Sequence, residues 1–573
     1  MSKWGPLLGL FGLAILLMFL GLGTLGLTDR DEGSNAEAAR EMLESGDWIT
    51  PTLNGEPRFA KPAFVYWLMS GAYRFLGVSE FSARFASAFF GVALILLQCL
   101  FLTHVRGKGV GLLGGVMLLL NIEMVAIGRL ALTDSVLIFF TTLSLYGFWL
   151  GLHGEGRQRA MFWLFYVGMA IGTLTKGPIG VVVPLLGVVP YLSLTKRWPL
   201  FWQRGFPLGG VVVFLLLALP WYGMMLAIHG SRYTASAQAD TVGRFFNVIG
   251  GHGGTVLLYV PVLLVGFFPW SGFLPFALYQ TLKTYWCTRS WASGEDHQSS
   301  GDLELFSALW IVGVFVFFSV SATRLPHYIG PLFPAAAILT ASYWNRCLTG
   351  PIPPYLRASL LTVMGIGYGL GLTLTASLSL YSTFIDKIAK EFPMAAHVEP
   401  GWGLTAAGFV LLIGMAFVGY FGFSEDRRAG AFWAAGSTIA LVLLIIIQVA
   451  LPRFSKYFIT PPQDLAYTAS VNLHPHEPLI LYGPPKPSLI FYAKRAAVVI
   501  RPGEEEKMRP YLTRPGRAMI LLPSRLKSQL PSESGGFSVI LERYGYSLLA
   551  NEPMVRLPPS PPPKAVGPHG QRR

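Results

Sequence analysis

The chain carries little charge for its length. Asp, Glu, Lys and Arg make up 13% of its 573 residues, whereas hydrophobic residues make up 53%. Soluble domains have about 25% charged residues, and the mean hydropathy here is +0.51. These values exclude a water-soluble protein of this length, and they predict a chain that lies in a membrane.

Cysteine and internal repeats are also lacking. Only Cys99, Cys287 and Cys347 occur, and all three fall on or near the cytoplasmic side of the topology described below. They therefore cannot form disulfides that hold the external loops together. No repeat is found at the period of a solenoid or propeller, and inverted repeats of the transporter kind are not evident.

Long apolar runs, by contrast, are abundant. A membrane-spanning helix needs about 20 mostly apolar residues, and the runs present predict a polytopic α-helical membrane protein with about thirteen transmembrane helices. They begin near Trp4, Phe81, Val110, Leu132, Met161, Gly177, Phe206, Thr255, Leu303, Pro326, Leu356, Trp402 and Phe432. The first run is longer than the core of a typical signal peptide, so we expect an uncleaved span.

The net charge of +14 comes mainly from short loops between these runs. If the N-terminus is cytoplasmic, most basic loop residues are cytoplasmic too, while external short loops mostly carry one each, such as Arg129, Lys176 and Arg324. The positive-inside rule thus predicts a cytoplasmic N-terminus and an external C-terminus. Because orientation accounts for the basic residues, no nucleic-acid partner is expected.

The first external loop, residues 28–80, is too rich in charge and structural signals to be a simple connector. Ser34-Asn35-Ala36-Glu37 has the pattern of a capping box, which predicts a short helix on the membrane surface. Pro62 to Phe75 is aromatic and amphipathic but too short to span, which predicts a second interfacial helix.

Composition divides the chain into three parts. Residues 1–451 hold the predicted transmembrane domain. Residues 452–557 alternate short apolar runs with helical segments, which predicts a small α/β domain outside the membrane. The Pro-rich tail, residues 558–573, is predicted to be disordered.

An acidic cluster follows the first span. A carboxylate at a membrane boundary costs free energy unless water solvates it or it has a functional partner. Asp29, Asp31 and Glu32 lie at the boundary that follows the first span. Taken alone, the cluster fits a solvated loop as well as a functional site.

The surrounding motifs carry a resemblance that covers nearly the whole chain. They are Asp31-Glu32-Gly33, Ala39-Arg40-Glu41-Met42, Gly46-Asp47-Trp48, Lys61-Pro62, Tyr66-Trp67, Thr133-Asp134, Thr175-Lys176-Gly177-Pro178, Arg244-Phe245, Gly251-His252-Gly253, Pro269-Trp270, Arg324-Leu325-Pro326-His327-Tyr328, Ser488-Leu489 and Phe491-Tyr492. Together they resemble bacterial aminoarabinose transferases and their protein O-mannosyltransferase relatives, which are lipid-phosphate-sugar glycosyltransferases of the GT-C fold.

The resemblance implies both a fold and an activity. The expected enzyme transfers a sugar from a polyprenyl (undecaprenyl) phosphate donor to a lipid acceptor of the lipid A or lipopolysaccharide kind, or to a glycan or protein. Transfer would take place on the periplasmic face of a bacterial inner membrane, by inverting displacement. The donor, the acceptor and the surrounding membrane lipids are the expected partners.

The resemblance also nominates three catalytic residues. The carboxylate of the Asp-Glu-Gly motif lies at the catalytic centre of the family, which points to Asp31, with Glu32 as its neighbour. Such a carboxylate can take the proton of an acceptor hydroxyl; with an ionised phosphate acceptor it would position the acceptor or stabilise charge on the sugar. Asp134 matches an acid near the family's active site, although it also fits a helix N-cap with Thr133.

A departing lipid phosphate needs fixed cations in a site that holds little water. Lys61, Lys176 and Arg324 are external and lie at the ends of spans, so they are the predicted clamp. Snorkelling toward lipid head groups is the alternative role for each of the three. Three further substrate-binding candidates come from motif position: Arg244, His252 and Tyr328. The alternative for His252 is an ordinary polar loop residue.

The sequence departs from its relatives at two places. Asn35 replaces a Tyr, and Arg58-Phe59-Ala60 replaces Tyr-Phe-Glu before Lys61-Pro62. The missing Glu removes a proposed metal ligand, and one His without a carboxylate partner is a poor divalent site. No metal site or other cofactor is therefore predicted, although a divalent metal is not excluded.

Two other functions fit part of the pattern. A transporter or flippase for lipid-linked sugars would place ionisable residues near the bilayer midplane, whereas Asp31, Lys61, Asp134, Lys176 and Arg324 all map to one boundary. That distribution favours an enzyme. A non-catalytic glycan-assembly factor is consistent with Asn35 and Ala60, and it would keep its function when Asp31 is replaced.

Overall fold

A computed structural model describes residues 5–154, 156–248, 253–288, 301–350, 355–391, 398 and 401–553. The helices of the first half are α1 Gly5–Phe19, α2 Asp31–Ser45, α3 Phe64–Leu76, α4 Glu80–Arg106, α5 Lys108–Leu119, α6 Ile122–Gly128, α7 Asp134–His153, α8 Gln158–Lys176, α9 Ile179–Leu194, α10 Trp198–Arg204, α11 Pro207–Gln238 and α12 Arg244–Phe246. Those of the second half are α13 Tyr259–Gly266, α14 Leu274–Thr288, α15 Asp302–Val320, α16 Phe333–Thr349, α17 Leu356–Thr375, α18 Ser377–Glu391, α19 Gly403–Gly422, α20 Arg428–Ile445, α21 Leu451–Phe454, α22 Thr460–Asn472, α23 Pro487–Ala493 and α24 Arg509–Leu512.

Within these described residues, seven helices are long and apolar enough to cross a membrane. They are α4, α7, α11, α15, α17, α19 and the continuous stretch Arg428–Asn472. Two bent pairs raise the number to nine: Lys108–Leu119 with Ile122–Gly128, bent by 67°, and Val256–Gly266 with Trp270–Cys287, bent by 118°. The chain is thus a multi-pass helical membrane protein, while the predicted number of thirteen passages stays a prediction.

The difference in number has a physical cause. Every predicted run coincides with a helix, but several of these helices are short or broken. In the α5–α6 pair the Asn121 side chain accepts a hydrogen bond from Met124 N (3.0 Å) and starts a new helix. An apolar composition shows that a segment is buried in lipid or protein, but it does not show where the backbone turns.

The acidic helix α2 begins at Asp31, not at the capping box predicted from Ser34. Arg30 precedes it with a left-handed φ of 67°, and Ser34 lies buried inside the helix. Most of α2 is buried against α3 and α23, and its predicted position on the membrane surface stays a prediction. Tertiary burial here overrides the local capping signal. The second predicted helix of the loop is present as α3.

The C-terminal residues form the predicted small α/β domain. Its strands are β1 Leu479–Tyr482, β2 Val498–Ile500, β3 Met519–Pro523, β4 Ser538–Arg543 and β5 Tyr546–Ala550. They form one five-stranded sheet in the order β2-β1-β3-β5-β4; β1 is parallel to β2 and β3, and β5 is antiparallel to β3 and β4. The first three strands coincide with the predicted apolar runs.

The predicted domain boundary at Pro452 is not a break in the backbone. A helical stretch runs without interruption from Arg428 to Asn472, because Pro452 lies in the first turn of α21 between two π-helical turns. Proline lacks the N–H that a regular α-helix interior uses, and the π-helical turns on both sides of Pro452 keep the helix continuous around it. The predicted tail lies outside the described residues.

The sheet domain packs directly on the start of α2. Ser488 N and Oγ donate to the carboxylate of Asp29, with N–O and O–O distances of 3.2 and 2.5 Å. The Tyr492 hydroxyl accepts from Leu27 N (3.0 Å) and donates to Glu80 (2.8 Å). The sheet domain therefore holds the segment between the first helix and the acidic helix.

Gly33 is the closest point of this contact, and it generates a test. A Cβ added there would lie 2.6 Å from the backbone nitrogen of Ser488, and a backbone atom cannot rotate away. We expect Gly33→Ala to separate α2 from α23 at a cost of about 1–3 kcal/mol, measured as a lower thermal unfolding midpoint in detergent. Gly71→Ala on α3 is the control, because nothing lies within 4 Å of its added Cβ. Equal midpoints for both variants would contradict this account of the contact.

Candidate active site

A buried ion pair joins the ends of two antiparallel helices. Asp134 opens α7 and Lys176 closes α8, and Lys176 Nζ lies 2.6 Å from Asp134 Oδ1. The His327 ring lies on the other side, with Nε2 3.9 Å from Asp134 Oδ2. Thr133 makes no capping hydrogen bond, so the alternative cap built on Thr133 is absent. Asp134 instead fixes the direction of the Lys176 ammonium.

Tyr328 and Arg244 border this pair. The Lys176 ammonium lies 4.5 Å from the centre of the Tyr328 ring, and Arg244 pairs with Asp240 at 2.9 Å. Thr323 N donates to the Arg244 carbonyl at 3.1 Å, which ties the short helix α12 to the loop that carries Tyr328. The end of α8 and the short helix α12, which are far apart in sequence, thus place the cations Lys176 and Arg244 on one surface, called here the cationic face.

Lys61 is the least constrained cation of the group. In the described part of the chain no hydrogen bond or ion pair engages its ammonium group. Burial, together with the positive charge of Lys176, lowers the pKa of Lys61 to about 8, although the charges of Asp31 and Asp134 oppose the shift. Lys61 is therefore a cation whose charge an anion can stabilise.

These residues open into one cavity of about 340 Å³. Lys61, Lys176 and Arg244 contribute the positive charge, and Lys61 interacts electrostatically with both of the others. Most of the remaining wall is apolar or aromatic: Phe59, Ala60, Pro62, Leu137, Pro178, Ile179, Val182, Tyr222, Tyr233, Phe245, Phe246, Phe317, Phe318 and Tyr328. Such a cavity suits a ligand with an anionic head and an apolar chain.

Asp31 lies at the margin of the cavity rather than in its wall. Its charge acts on Lys61, Lys176 and His327, which places the carboxylate near the cationic face. Among the described residues none makes a hydrogen bond to this carboxylate. Asp31 is thus a half-buried acid that is free to contact a ligand.

Glu32, its neighbour in sequence, is placed differently. Arg84 Nε and Nη2 donate to its two carboxylate oxygens at 2.7 and 2.9 Å. Thr28 N and Ala131 N also donate to it, at 2.7 and 2.8 Å. Burial opposes ionisation of Glu32, but the Arg84 guanidinium holds the pKa of this carboxyl below its ordinary value. The structure does not bring Glu32 to the cavity, so its position fits a structural role and not the predicted catalytic one.

Arg324 also points away from the cavity. Its Nε donates to the Ser319 carbonyl at 3.2 Å and its Nη1 to the Gly254 carbonyl. The predicted clamp therefore contains Lys61 and Lys176 without Arg324, because a position at the end of a span does not determine side-chain direction. His252 lies outside the described residues.

Sequence reasoning missed two residues of this region. Arg84 is an arginine near the start of an apolar helix, and such an intramembrane charge is itself a signal of a buried partner. His327 stands in the motif that nominated Arg324 and Tyr328, but a lone His carries no sign of its neighbours. In the described ranges, no three His, Cys, Asp or Glu side chains are grouped as metal ligands.

A helical membrane body with a buried acidic helix, a cavity that carries three cations and a docked sheet domain is the architecture of the GT-C fold. The crystal structure of ArnT from Cupriavidus metallidurans bound to undecaprenyl phosphate has the same fold, with a TM-score of 0.78 over 96% of this chain and 99% of that chain at 22% identity. The two proteins share the whole architecture, including the sheet domain.

Sequence comparison gives the family. Residues 11–234 match the family model of dolichyl-phosphate-mannose-protein mannosyltransferase. The undecaprenyl phosphate-alpha-4-amino-4-deoxy-L-arabinose arabinosyl transferase of Enterobacter sp. (strain 638) is 30% identical over 75% of this chain and 74% of its own length. The enzyme of the same name from Edwardsiella ictaluri (strain 93-146) is 28% identical over 78% of this chain and 77% of its own. The chain belongs to this arabinosyl transferase family, and it is a multi-pass membrane glycosyltransferase.

The different placement of Asp31 and Glu32 can be measured. We expect Glu32→Gln to destabilise the fold by about 3–5 kcal/mol, because it leaves the Arg84 charge buried without its partner. Since folding depresses the pKa of Glu32, its stabilisation is present above the unfolded-state pKa and is lost as the pH falls through the folded-state value. Thermal midpoints in detergent at neutral pH measure the effect. Asp31→Asn is the matched control and should melt like the wild type; a Glu32→Gln midpoint equal to it would contradict this assignment.

Proposed function

We propose that this chain transfers an amino sugar of the aminoarabinose type from an undecaprenyl phosphate donor to a lipid acceptor of the lipid A kind. The relatives' names supply the donor and the sugar class, and the acceptor rests on the resemblance seen in the sequence. The observation that carries the proposal is the unpaired Lys61 ammonium, which lies beside Lys176 and Arg244 in a largely apolar cavity whose two lining acids, Asp134 and Asp240, pair with Lys176 and Arg244.

The cavity accounts for both parts of such a donor. Its aromatic and aliphatic wall suits a polyprenyl chain, which needs no polar partner. The phosphate would contact Lys61, whose charge is destabilised by burial until an anion arrives. Asp134 keeps Lys176 directed at the same place through their ion pair of 2.6 Å. Fixed cations in a site that holds little water stabilise the negative charge that develops on a leaving phosphate.

Asp31 is the proposed catalytic acid–base group. In an inverting displacement the acceptor oxygen attacks the anomeric carbon as the bond to the phosphate oxygen breaks, and the electron pair of that bond goes to the phosphate. A hydroxyl acceptor loses its proton to the Asp31 carboxylate. A phosphate acceptor is already ionised, and Asp31 then stabilises the positive charge on the sugar.

The finer topology belongs to the same proposal. The N-terminus would lie in the cytoplasm and the C-terminal sheet domain in the periplasm of a bacterial inner membrane, with residues 28–80 on the periplasmic side. The shorter apolar helices α1 and α9, the two bent pairs, α8 and α16 would bring the passages to about thirteen. Basic loop residues and a donor carried by the membrane itself both support this arrangement.

The catalytic assignment is tested in cells. In a strain that lacks the gene, we expect mass spectrometry of the surface lipids to show one sugar modification missing. The wild type should restore it and Asp31→Asn should not, because the amide cannot accept a proton or stabilise positive charge. Glu56→Gln is the control, since this exposed acid of the same loop makes only a 3.5 Å ion pair with Arg232. Full restoration by Asp31→Asn would sink the assignment, and an unchanged lipid profile on deletion would sink the transferase proposal.

The role of Lys61 predicts a dependence on pH. The phosphodiester group of the donor keeps its single negative charge between pH 7 and 9, whereas Lys61, with a pKa of about 8, loses its proton in this range. The amine of the donor sugar titrates in the same range, and the Lys61→Arg variant separates the two causes. We expect kcat/KM for the donor to fall as the pH rises through about 8, since this ratio reports the free enzyme. By pH 9 the fall should be roughly tenfold, because protonated Lys61 is then a minor species.

Variants of Lys61 separate this cause from others. Lys61→Arg keeps its charge at every accessible pH, so it should lose the alkaline decline while staying active. Lys61→Gln should have a low kcat/KM throughout. The assignment of the decline to Lys61 fails if Lys61→Arg falls with pH as the wild type does.

A further inference from the structure

A second, smaller cavity lies at the other end of α8. Its volume is about 160 Å³, and it is enclosed by the start of α8 and the connection from α10 to α11. Arg159 lies in the first turn of α8 and Lys176 is its last residue; the 19 residues of this helix span about 28 Å. That length is close to the thickness of a bilayer's hydrocarbon core. The second cavity therefore faces the membrane boundary opposite the transfer site.

Two arginines line this cavity, and among the described residues no acidic side chain pairs with either of them. Arg159 is exposed and makes no hydrogen bond or ion pair within the described ranges. Arg204 donates through Nη1 to the Leu152 carbonyl at 2.9 Å, and this bond leaves its charge unneutralised. Guanidinium groups bind phosphate oxygens through paired N–H donors. The cavity thus offers two charges of the kind that a phosphate group requires.

The rest of the wall is aromatic. The Tyr166 hydroxyl donates to the Gly205 carbonyl at 2.8 Å, which closes the cavity between α8 and the α10–α11 connection. The rings of Trp163 and Phe206 stand 6.3 Å apart at 72°. Amphipathic aromatic rings are typical of the head-group level of a membrane, and Trp202 on α10 is 59% exposed at the same boundary.

An apolar surface continues directly from the cavity along α11. The exposed fractions are 78% for Leu208, 51% for Val211 and 54% for Val212. In the most apolar part of α11, only 17% of the residues are buried inside the protein. A phosphate held by the arginines would therefore have acyl chains beside it on a surface made for lipid. At 160 Å³ the cavity has room for a head group, while the chains remain in the bilayer.

We propose that this cavity binds the phosphodiester head group of an anionic phospholipid in the leaflet opposite the transfer site. The phosphate would lie between Arg159 and Arg204, and the acyl chains would follow Trp163, Phe206 and the start of α11. Basic pockets between transmembrane helices bind anionic head groups in this way. The bound lipid would connect α8, which carries Lys176, to α11. This inference does not depend on the identity of the transferred sugar.

The test uses the purified full-length protein and phosphatidylglycerol as the probe. Native mass spectrometry after exchange into mixed micelles should show the wild type retaining phosphatidylglycerol in preference to phosphatidylcholine. Arg159→Gln/Arg204→Gln should retain at least about tenfold less, since a single charge-assisted hydrogen bond is worth that factor. The single variant Arg159→Gln should show a smaller loss, and because this side chain is exposed and unpaired, its fold should be unaffected.

The matched control removes the same charge from the same boundary. Arg157 and Lys196 are both exposed and lie outside the cavity lining, so Arg157→Gln/Lys196→Gln should retain phosphatidylglycerol like the wild type. Equal losses in both double variants would mean general surface charge and would overturn the proposal. So would unchanged retention in Arg159→Gln/Arg204→Gln. Inorganic phosphate is the last arm: if it alone raises the thermal midpoint as phosphatidylglycerol does, the cavity binds free phosphate and the lipid assignment is wrong.

Discussion

The ion pair between Glu32 and Arg84 is the constraint on which the transfer site depends. Besides Glu32, the Arg84 guanidinium donates to the backbone carbonyls of Leu22, Leu25 and Gly26, so the chain leaving the first span wraps around one side chain. Neither charged group is tolerable alone at this burial, since removing one partner of a buried pair costs about 3–5 kcal/mol. The pair therefore holds α2, α4 and the segment that follows α1 in fixed positions relative to one another.

Both acids assigned to the site are placed by this unit. Asp31 immediately precedes Glu32 at the start of α2, so its half-buried position follows from the anchoring of its neighbour. Asp134 follows the segment whose Ala131 N donates to Glu32 at 2.8 Å, which brings the start of α7 to the same place. The sheet domain completes the arrangement through the hydrogen bond from Ser488 to Asp29. One buried carboxylate thus aligns two others that do not touch it.

The sequence predicts the positions of helices well, but it does not predict the directions of individual side chains. Apolar runs predict helices because bilayer thickness sets their length. Five residues that the motifs nominate line one cavity: Lys61, Asp134, Lys176, Arg244 and Tyr328. The directions of Glu32 and Arg324 are not predictable in this way, since each side chain turns toward partners, such as Arg84 and the Gly254 carbonyl, that are distant in sequence. The start of α2 is missed because burial against α23 outweighs the capping signal at Ser34.

The arrangement of charges also explains how the proposed transfer gains speed and not only affinity. A lipid-phosphate sugar is a phosphodiester with one negative charge, and the phosphate gains a second as the sugar leaves. Asp134 neutralises Lys176 in part, so the cluster attracts the singly charged phosphodiester of the donor only moderately. Lys61, with its pKa of about 8, gains most from a partner whose charge is growing. Interactions that strengthen between ground state and transition state are the ones that accelerate a reaction, and an unpaired, partly buried lysine beside a neutralised one provides that difference.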